Sequence, residues 1–520
     1  MKGTLSRKWS NNILCTLLLI FLALLGVLFV SLSTRWGAGP SLDSASYTAI
    51  ARNLVSGQGY RGLYGKPAVI WPPLYPLFLA FIGLFGPDPL IVTRWANAAI
   101  FGGNVLLVGL ILRRYVRFRW IAVLGSLLVL TSVDLLHVHS MIWTEPLFIF
   151  LGLLGLLLIA EYAERQRLGL LLASAAIIAL AVLTRYAGVS LIITAILIIL
   201  FFTKRALSKK LRDALLFAGI ACLPLALWII RNVIVAGTST GRTVRLHSIS
   251  LHHFRNGLDT FSLWLLPEWV PLNVRAIALI VIVVAMLLSI LILGRKTRKH
   301  EAVAPTRCPA KLPWVLGTFI ACYLALILLS LALIVGMFAM YVDFRILAPL
   351  YPPALILVLF LGDRLLRHTQ RIRTITIAAV LLAVVFAVWH ANRSFWWIRM
   401  AHKDGLASIR TALRESYLIK QVTTLDPEVP VFTNAGHVVY FCADRLSFPI
   451  PGKIKRGQPN EEYTAELAAM KERLENENGI IVYFNHVKSR FLPSRQELEK
   501  ALPLRIRTRA SDGVIYEYAQ

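Results

Sequence analysis

Acidic residues are scarce in this sequence. Its 520 residues hold 27 Asp and Glu against 55 Lys and Arg, a formal charge of +28. Such a balance invites nucleic acid as a partner, but the cations cluster in short segments between apolar runs. That is the pattern of the positive-inside rule, so the expected contacts are anionic lipid headgroups, with no nucleic acid. Cysteine is sparse too. The five, Cys15, Cys222, Cys308, Cys322 and Cys442, are spaced as neither a zinc site nor a disulfide framework. No Walker loop, GxGxxG, HExxH or GxSxG stands in the chain, which leaves nucleotide hydrolysis and soluble-hydrolase chemistry without support.

What the chain has in abundance is apolar length. It is 57% hydrophobic and only 16% charged. Eleven runs read as transmembrane helices: 12–33, 91–112, 121–136, 146–160, 168–183, 187–202, 214–230, 276–293, 314–335, 346–361 and 375–390. The first follows Lys2, Arg7 and Lys8 and exceeds a signal-peptide core, so it reads as a retained span. Basic segments such as Arg113–Arg119 and Lys204–Lys210 mark the cytoplasmic side. Parity then places the N-terminus in the cytoplasm and the C-terminal region outside it. The apolar stretch 74–85 lies between Pro72-Pro73 and Gly86-Pro87 and is too short to cross. It reads as an interfacial helix of the first outer loop.

Composition shifts near residue 399. The chain divides into a membrane domain, 1–398, and a soluble extracytoplasmic domain, 399–520, which holds 15 of the acidic residues and no crossing run. In the latter, VPVFTNAG, HVVYFCA, GIIVYFNH and GVIYEYA read as buried strands, and 461–476 as a helix. The fold class is a polytopic α-helical membrane protein with a small C-terminal α/β domain.

Carboxylates near a bilayer are costly, so the few in the membrane domain are informative. Glu161, Glu164, Asp213, Glu301 and Asp363 fall beside basic segments and read as solvated loop charges. Asp43 and Glu145 instead sit at span ends among aromatic, Gly/Pro and hydroxyl residues, as candidate catalytic groups. Asp43 also suits a helix N-cap, and Glu145 a first-turn acid beside Pro146. His137 and His139 flank Glu145, but a His-x-His pair on a helix does not put both rings on one face, so no metal site is expected. An enzyme that handles a phosphate here needs cations on the same side. Arg61, Lys66 and Arg345 are the candidates, although Arg345 also suits an ion pair with Asp343 or an interfacial anchor. Tyr47, Tyr60, Arg185 and His139 complete the candidate substrate site.

The order of motifs carries a resemblance. A single span leads to LDSASYTAIARNLVSGQGY with Asp43, then to WPPLYPLFLAFIGLFG. A second outer loop ends in IWTEPLF, followed by TRYAG, LPLALWIIRN, VAGT and FRILAPLYPP. Over about the first 360 residues the chain resembles the GT-C superfamily of polyprenyl-phosphate-sugar-dependent glycosyltransferases. It looks most like the bacterial branch similar to protein mannosyltransferases and the lipid A aminoarabinose transferase. The resemblance implies that Asp43 is the catalytic acidic residue of the first outer loop and Glu145 a second one. The family often has two adjacent acidic residues in that loop; here Ser44 follows Asp43.

The expected activity is transfer of a hexose or pentose from a polyprenyl-phosphate donor to an acceptor hydroxyl of a glycan, lipid or protein. Inversion at the anomeric carbon, Asp43 as general base, and no required metal or cofactor are part of that expectation. The setting implied is a bacterial inner (plasma) membrane. The alternative is a transporter or lipid flippase, which calls for broken mid-bilayer helices and related halves; no internal repeat is evident.

Overall fold

The computed structural model describes residues 2–86, 89–300, 311–335, 342–367, 372–455, 458–487 and 489–519. Asp88 and Glu301 lie outside them. Among the described residues, six helices are long and apolar enough to cross a membrane: Asn12–Ser33, Leu90–Tyr115, Glu145–Arg165, Leu207–Ala236, Leu312–Leu333 and Phe344–Leu366. The expected span 121–136 is broken. Arg119–Leu130 and Val133–His139 meet at a 58° bend and together make a seventh candidate. The break falls at Thr131-Ser132, where the Ser132 side chain accepts from Leu135 N–H and starts a new helix. The helices Leu168–Thr184 and Val189–Phe202 are apolar but have only 17 and 14 residues, short of a perpendicular crossing. The structure therefore supports a polytopic bundle without establishing the count of eleven.

Close helix contact is written into small residues. Lys2–Ser33 packs along Pro89–Tyr115, and a Cβ at Gly102 would sit 2.8 Å from the Ala23 carbonyl oxygen. Without a hydrophobic force between helices in lipid, such backbone approach is where packing attraction is gained.

Several carboxylates expected to be solvated are buried and paired. Glu161 is 6% exposed and takes ion pairs from Arg114 at 2.6 Å and Arg165 at 2.9 Å. Asp213, 1% exposed, is held by Arg205 at 2.7 Å and Arg212 at 2.9 Å. Asp363 is buried and accepts from the N–H groups of Arg117 and Phe118. Burying a charge requires such partners, and the neighbouring arginines that mark topology also supply them.

The segment 74–85 forms the ten-residue helix Leu74–Gly83, too short to span. It packs beside Leu42–Val55 through Tyr47, Tyr75 and Leu79.

The helix Ile372–Asp404 runs unbroken past residue 399. Beyond it lies a five-stranded sheet, in order Phe448–Pro449, Val431–Thr433, Ile480–Phe484, Gly513–Tyr518, Leu504–Ala510. The first two pairings are parallel and the last two antiparallel. Tyr463–Asn476 is helical as expected. HVVYFCA is not a strand: Gly436–Cys442 is a helix. A short apolar run does not distinguish a buried strand from one buried helical turn or two. The edge strand Leu504–Ala510 escapes expectation because its alternate residues are arginines, with one face exposed and the other only half-buried.

Candidate active site

The first loop and the loop before Glu145 are joined by backbone. Gly39 N–H donates to Ser140 C=O at 2.8 Å, and Ile142 N–H to Gly39 C=O at 2.9 Å. Ser33 and Ser140 hydroxyls are 2.7 Å apart. This pairing sets the start of Leu42–Val55 beside the start of Glu145–Arg165. Ser41, not Asp43, is the N-cap of Leu42–Val55, in a capping box with Ser44. Ser44 Oγ also donates to Ile142 C=O at 2.8 Å. Ser44 thus fastens the two loops together. Asp43 occupies the first helical turn, where the helix dipole favours a carboxylate.

Arg345 joins the two carboxylates. Its Nη1 donates to Asp43 Oδ2 at 2.7 Å and its Nε to Glu145 Oε1 at 2.6 Å. The guanidinium lies 4.4 Å from the Trp143 ring centroid, and Trp143 Nε1 donates to Ser41 Oγ at 2.9 Å. Arg185 Nη1 pairs with the same Glu145 oxygen and donates to Thr144 Oγ1 at 2.7 Å. Glu145 is fully buried at the first residue of its helix, so it is both a first-turn acid and the centre of a two-arginine network. Asp43 differs: its side chain is 22% exposed, and Oδ1 takes no hydrogen bond from the described residues. Asp343 is not Arg345's ion-pair partner. It caps Phe344–Leu347 by accepting from Ile346 N–H at 3.1 Å, and burial raises its pKa against the pull of that bond and of Arg345.

Tyr47 packs edge-on to Trp71 and Tyr75, with centroids 5.4 and 5.2 Å away. Burial, reinforced by the charge of Asp43, pushes its phenol far above the ordinary value, so it remains a donor. Tyr60 rests edge-on against Trp228, and Arg231 lies over both rings. Its buried hydroxyl has no partner among the described residues.

The remaining candidates are not in this cluster. Arg61 Nη1 donates to Gly65 C=O at 2.8 Å and Nε to Gln58 C=O at 3.2 Å, bracing its own exposed turn. Lys66 is exposed in that turn. His139 is buried; its Nδ1 donates to Leu135 C=O at 2.7 Å while Nε2 accepts from Asn104 at 3.0 Å. His137 stacks on Phe344 and on Trp143, which also meet each other.

One cation stands out only in the structure. Arg242 lies over the rings of Trp71 and Tyr186, 5.6 and 5.5 Å from their centroids, and its buried Nε has no partner. Burial lowers its pKa, and the charge of Arg185 adds to this, while Tyr186, Tyr47 and Asp43 oppose it. The buried Nε of Arg185 is likewise unpartnered. In the sequence Arg242 is one of many loop arginines, and only its approach to two aromatic rings and Arg185 sets it apart. The site therefore pairs two guanidiniums with two carboxylates, and the Nε groups of Arg185 and Arg242 remain as orphaned donors suited to an anion.

No family model matches the chain, and no curated protein does. Solved structures do. ArnT from Cupriavidus metallidurans in the apo state has a TM-score of 0.58 at 12% identity, covering 96% of this chain and 97% of that one. The same protein bound to undecaprenyl phosphate gives 0.57 at 12% identity, again over 96% and 97%. The oligosaccharyltransferase of Archaeoglobus fulgidus, in complex with Zn and sulfate, gives 0.52 at 14% identity, over 97% of this chain and 73% of that one. The chain has the fold of these proteins. Asp43 and Glu145 are already engaged by arginines, and no three His, Cys, Asp or Glu converge among the described residues.

Proposed function

We propose that this protein transfers a sugar from a polyprenyl-phosphate carrier to an acceptor hydroxyl at the extracytoplasmic face of a bacterial inner membrane. The observation that carries this is the juxtaposition of Asp43, with one free carboxylate oxygen, and the orphaned donors of Arg185 and Arg242. The fold shared with a protein seen bound to undecaprenyl phosphate supports it.

The acceptor O–H donates to Asp43 Oδ1 and its oxygen attacks the anomeric carbon. The C–O bond to phosphate breaks, and its electron pair leaves on polyprenyl phosphate. The proton stays on Asp43 until solvent removes it. A single displacement inverts the anomeric centre. Arg345 holds Asp43 Oδ2, so the carboxylate cannot turn its free oxygen away. Glu145 holds Arg345 by Nε, and Arg185 completes the charge of Glu145. Donor phosphate lies against Arg242 and Arg185, whose charges stabilise what grows on departure. Phosphate binding is thereby moved from Arg61 and Lys66 to Arg242. Arg345 takes the part of a carboxylate clamp, and the N-terminus lies in the cytoplasm.

Purified protein in detergent is expected to move sugar from a polyprenyl-phosphate donor to an acceptor with no ion gradient or sealed compartment. A transporter or flippase would leave donor and acceptor chemically unchanged. Donor that stays intact across a panel of sugars and acceptors would overturn the assignment.

A further inference from the structure

The chain after the last membrane helix grips the first loop at several places. Pro40 C=O, three residues before Asp43, accepts from Ser408 N–H at 3.2 Å and from Ser408 Oγ at 2.9 Å. Ser408 C=O in turn accepts from Cys442 Sγ at 3.0 Å. Gly39 lies so close that an added Cβ would meet Leu406 Cβ at 2.8 Å. At the far end of the same helix, Arg52 Nη1 donates to Tyr440 Oη at 2.8 Å and stands 3.4 Å from Asp444. Its guanidinium sits 5.1 Å from the Tyr440 ring centroid. Further on, Tyr64 Oη donates to Ser447 C=O at 2.9 Å, with its ring stacked on Phe448. Ile409 joins Ala38, Tyr47 and Ala51 in the apolar layer beneath.

We propose that segment 405–448 is a clamp that sets the position of Leu42–Val55, and that Arg52 and Tyr440 are positioning residues acting on Asp43 through this helix. The need for it is physical. An isolated helix of 14 residues is marginal in water. Bonding to Ser140–Ile142 fixes its beginning, and packing against Leu74–Gly83 holds its middle. Its last turn, at Arg52, lies beyond both, and a small displacement of a catalytic group is costly in rate. Contacts at Pro40 and Arg52, one at each end, oppose such displacement. The exposed Arg52–Asp444 pair contributes little alone; the buried-side bond to Tyr440 with its cation–π contact is the stronger grip. The link from Asp43 to rate rests on the function proposed above, whereas the clamp itself does not.

The test uses the full-length protein in detergent with Arg52→Ala, Arg52→Lys, Tyr440→Phe and the Ala/Phe double variant. Tyr440→Phe removes one oxygen and keeps the ring, so it guards against a failure to fold. Amide hydrogen exchange over residues 45–52 is expected to quicken about tenfold or more in Arg52→Ala and Tyr440→Phe, with the membrane helices unchanged. The double variant should be no faster than the faster single, because both remove one contact. Turnover per folded molecule should fall about tenfold, with donor KM changed by less than about twofold. Arg52→Lys should restore most of both, since an ammonium can still reach Tyr440 Oη and its ring. Unchanged exchange in both single variants overturns the clamp. Quickened exchange with unaltered kcat overturns its role in positioning Asp43. If the wild type transfers no sugar, the proposed function fails while exchange still decides the clamp.

Discussion

Asp43→Asn is expected to lower kcat by roughly 10²- to 10⁴-fold, the contribution typical of a positioned general base. Asn matches Asp in shape, and its side-chain oxygen still accepts from Arg345 Nη1, so the helix start and the clamp should stand. What it lacks is the ability to take the acceptor's proton. Donor KM should therefore change little, because the proposed phosphate contacts, the unpartnered Nε groups of Arg242 and Arg185, do not involve Asp43. A fall in kcat and kcat/KM by equal factors marks an interaction made only in the transition state. Asp43→Asn turning over like the wild type at equal folded amount would remove Asp43 from its assigned role.

Arg345→Met is expected to be the most damaging change to stability. It leaves Glu145, fully buried, with Arg185 alone, and Asp43 with no partner. Removing one member of a buried ion pair costs about 3–5 kcal/mol, because the stranded charge keeps its desolvation penalty. Adding Glu145→Gln should recover part of that loss, since the extra charge is then gone. The double variant should therefore be more stable than the sum of the singles predicts, yet remain without activity because Asp43 has lost its orienting partner. Arg345→Lys should rescue only partly. One ammonium cannot present Nε and Nη1 to two carboxylates in a fixed fork. The check is denaturant unfolding in micelles alongside transfer assays. Additive losses would mean that Arg345 and Glu145 do not act as a unit.

The cost of burying carboxylates made Asp43 and Glu145 legible in the sequence, since few acids stand at span ends. The same logic failed for Glu161, Asp213 and Asp363. Their arginine partners look like topology markers in the sequence, and sequence distance conceals that the Arg117 backbone and Asp363 meet. Arg345 was visible as a candidate, but its partners were not, because Asp43, Glu145 and Arg345 come from three separated segments. Local competition explains the cap. Ser41 and Asp43 both suit an N-cap, and the capping box with Ser44 decides for Ser41. Arg242 was invisible as a site residue because cation–π placement leaves no sequence signature. In the C-terminal region, Ile480–Phe484 and Gly513–Tyr518 are legible as strands because they are largely buried on both faces. Gly436–Cys442 was not, because one apolar run can serve either geometry.

The most direct test is a structure of the full-length protein with polyprenyl phosphate bound. The account predicts phosphate oxygens within hydrogen-bond distance of Arg242 and Arg185, with Asp43 Oδ1 facing the place the anomeric carbon would take. Phosphate seated instead on Arg61 and Lys66, with Asp43 turned from it, would contradict the account.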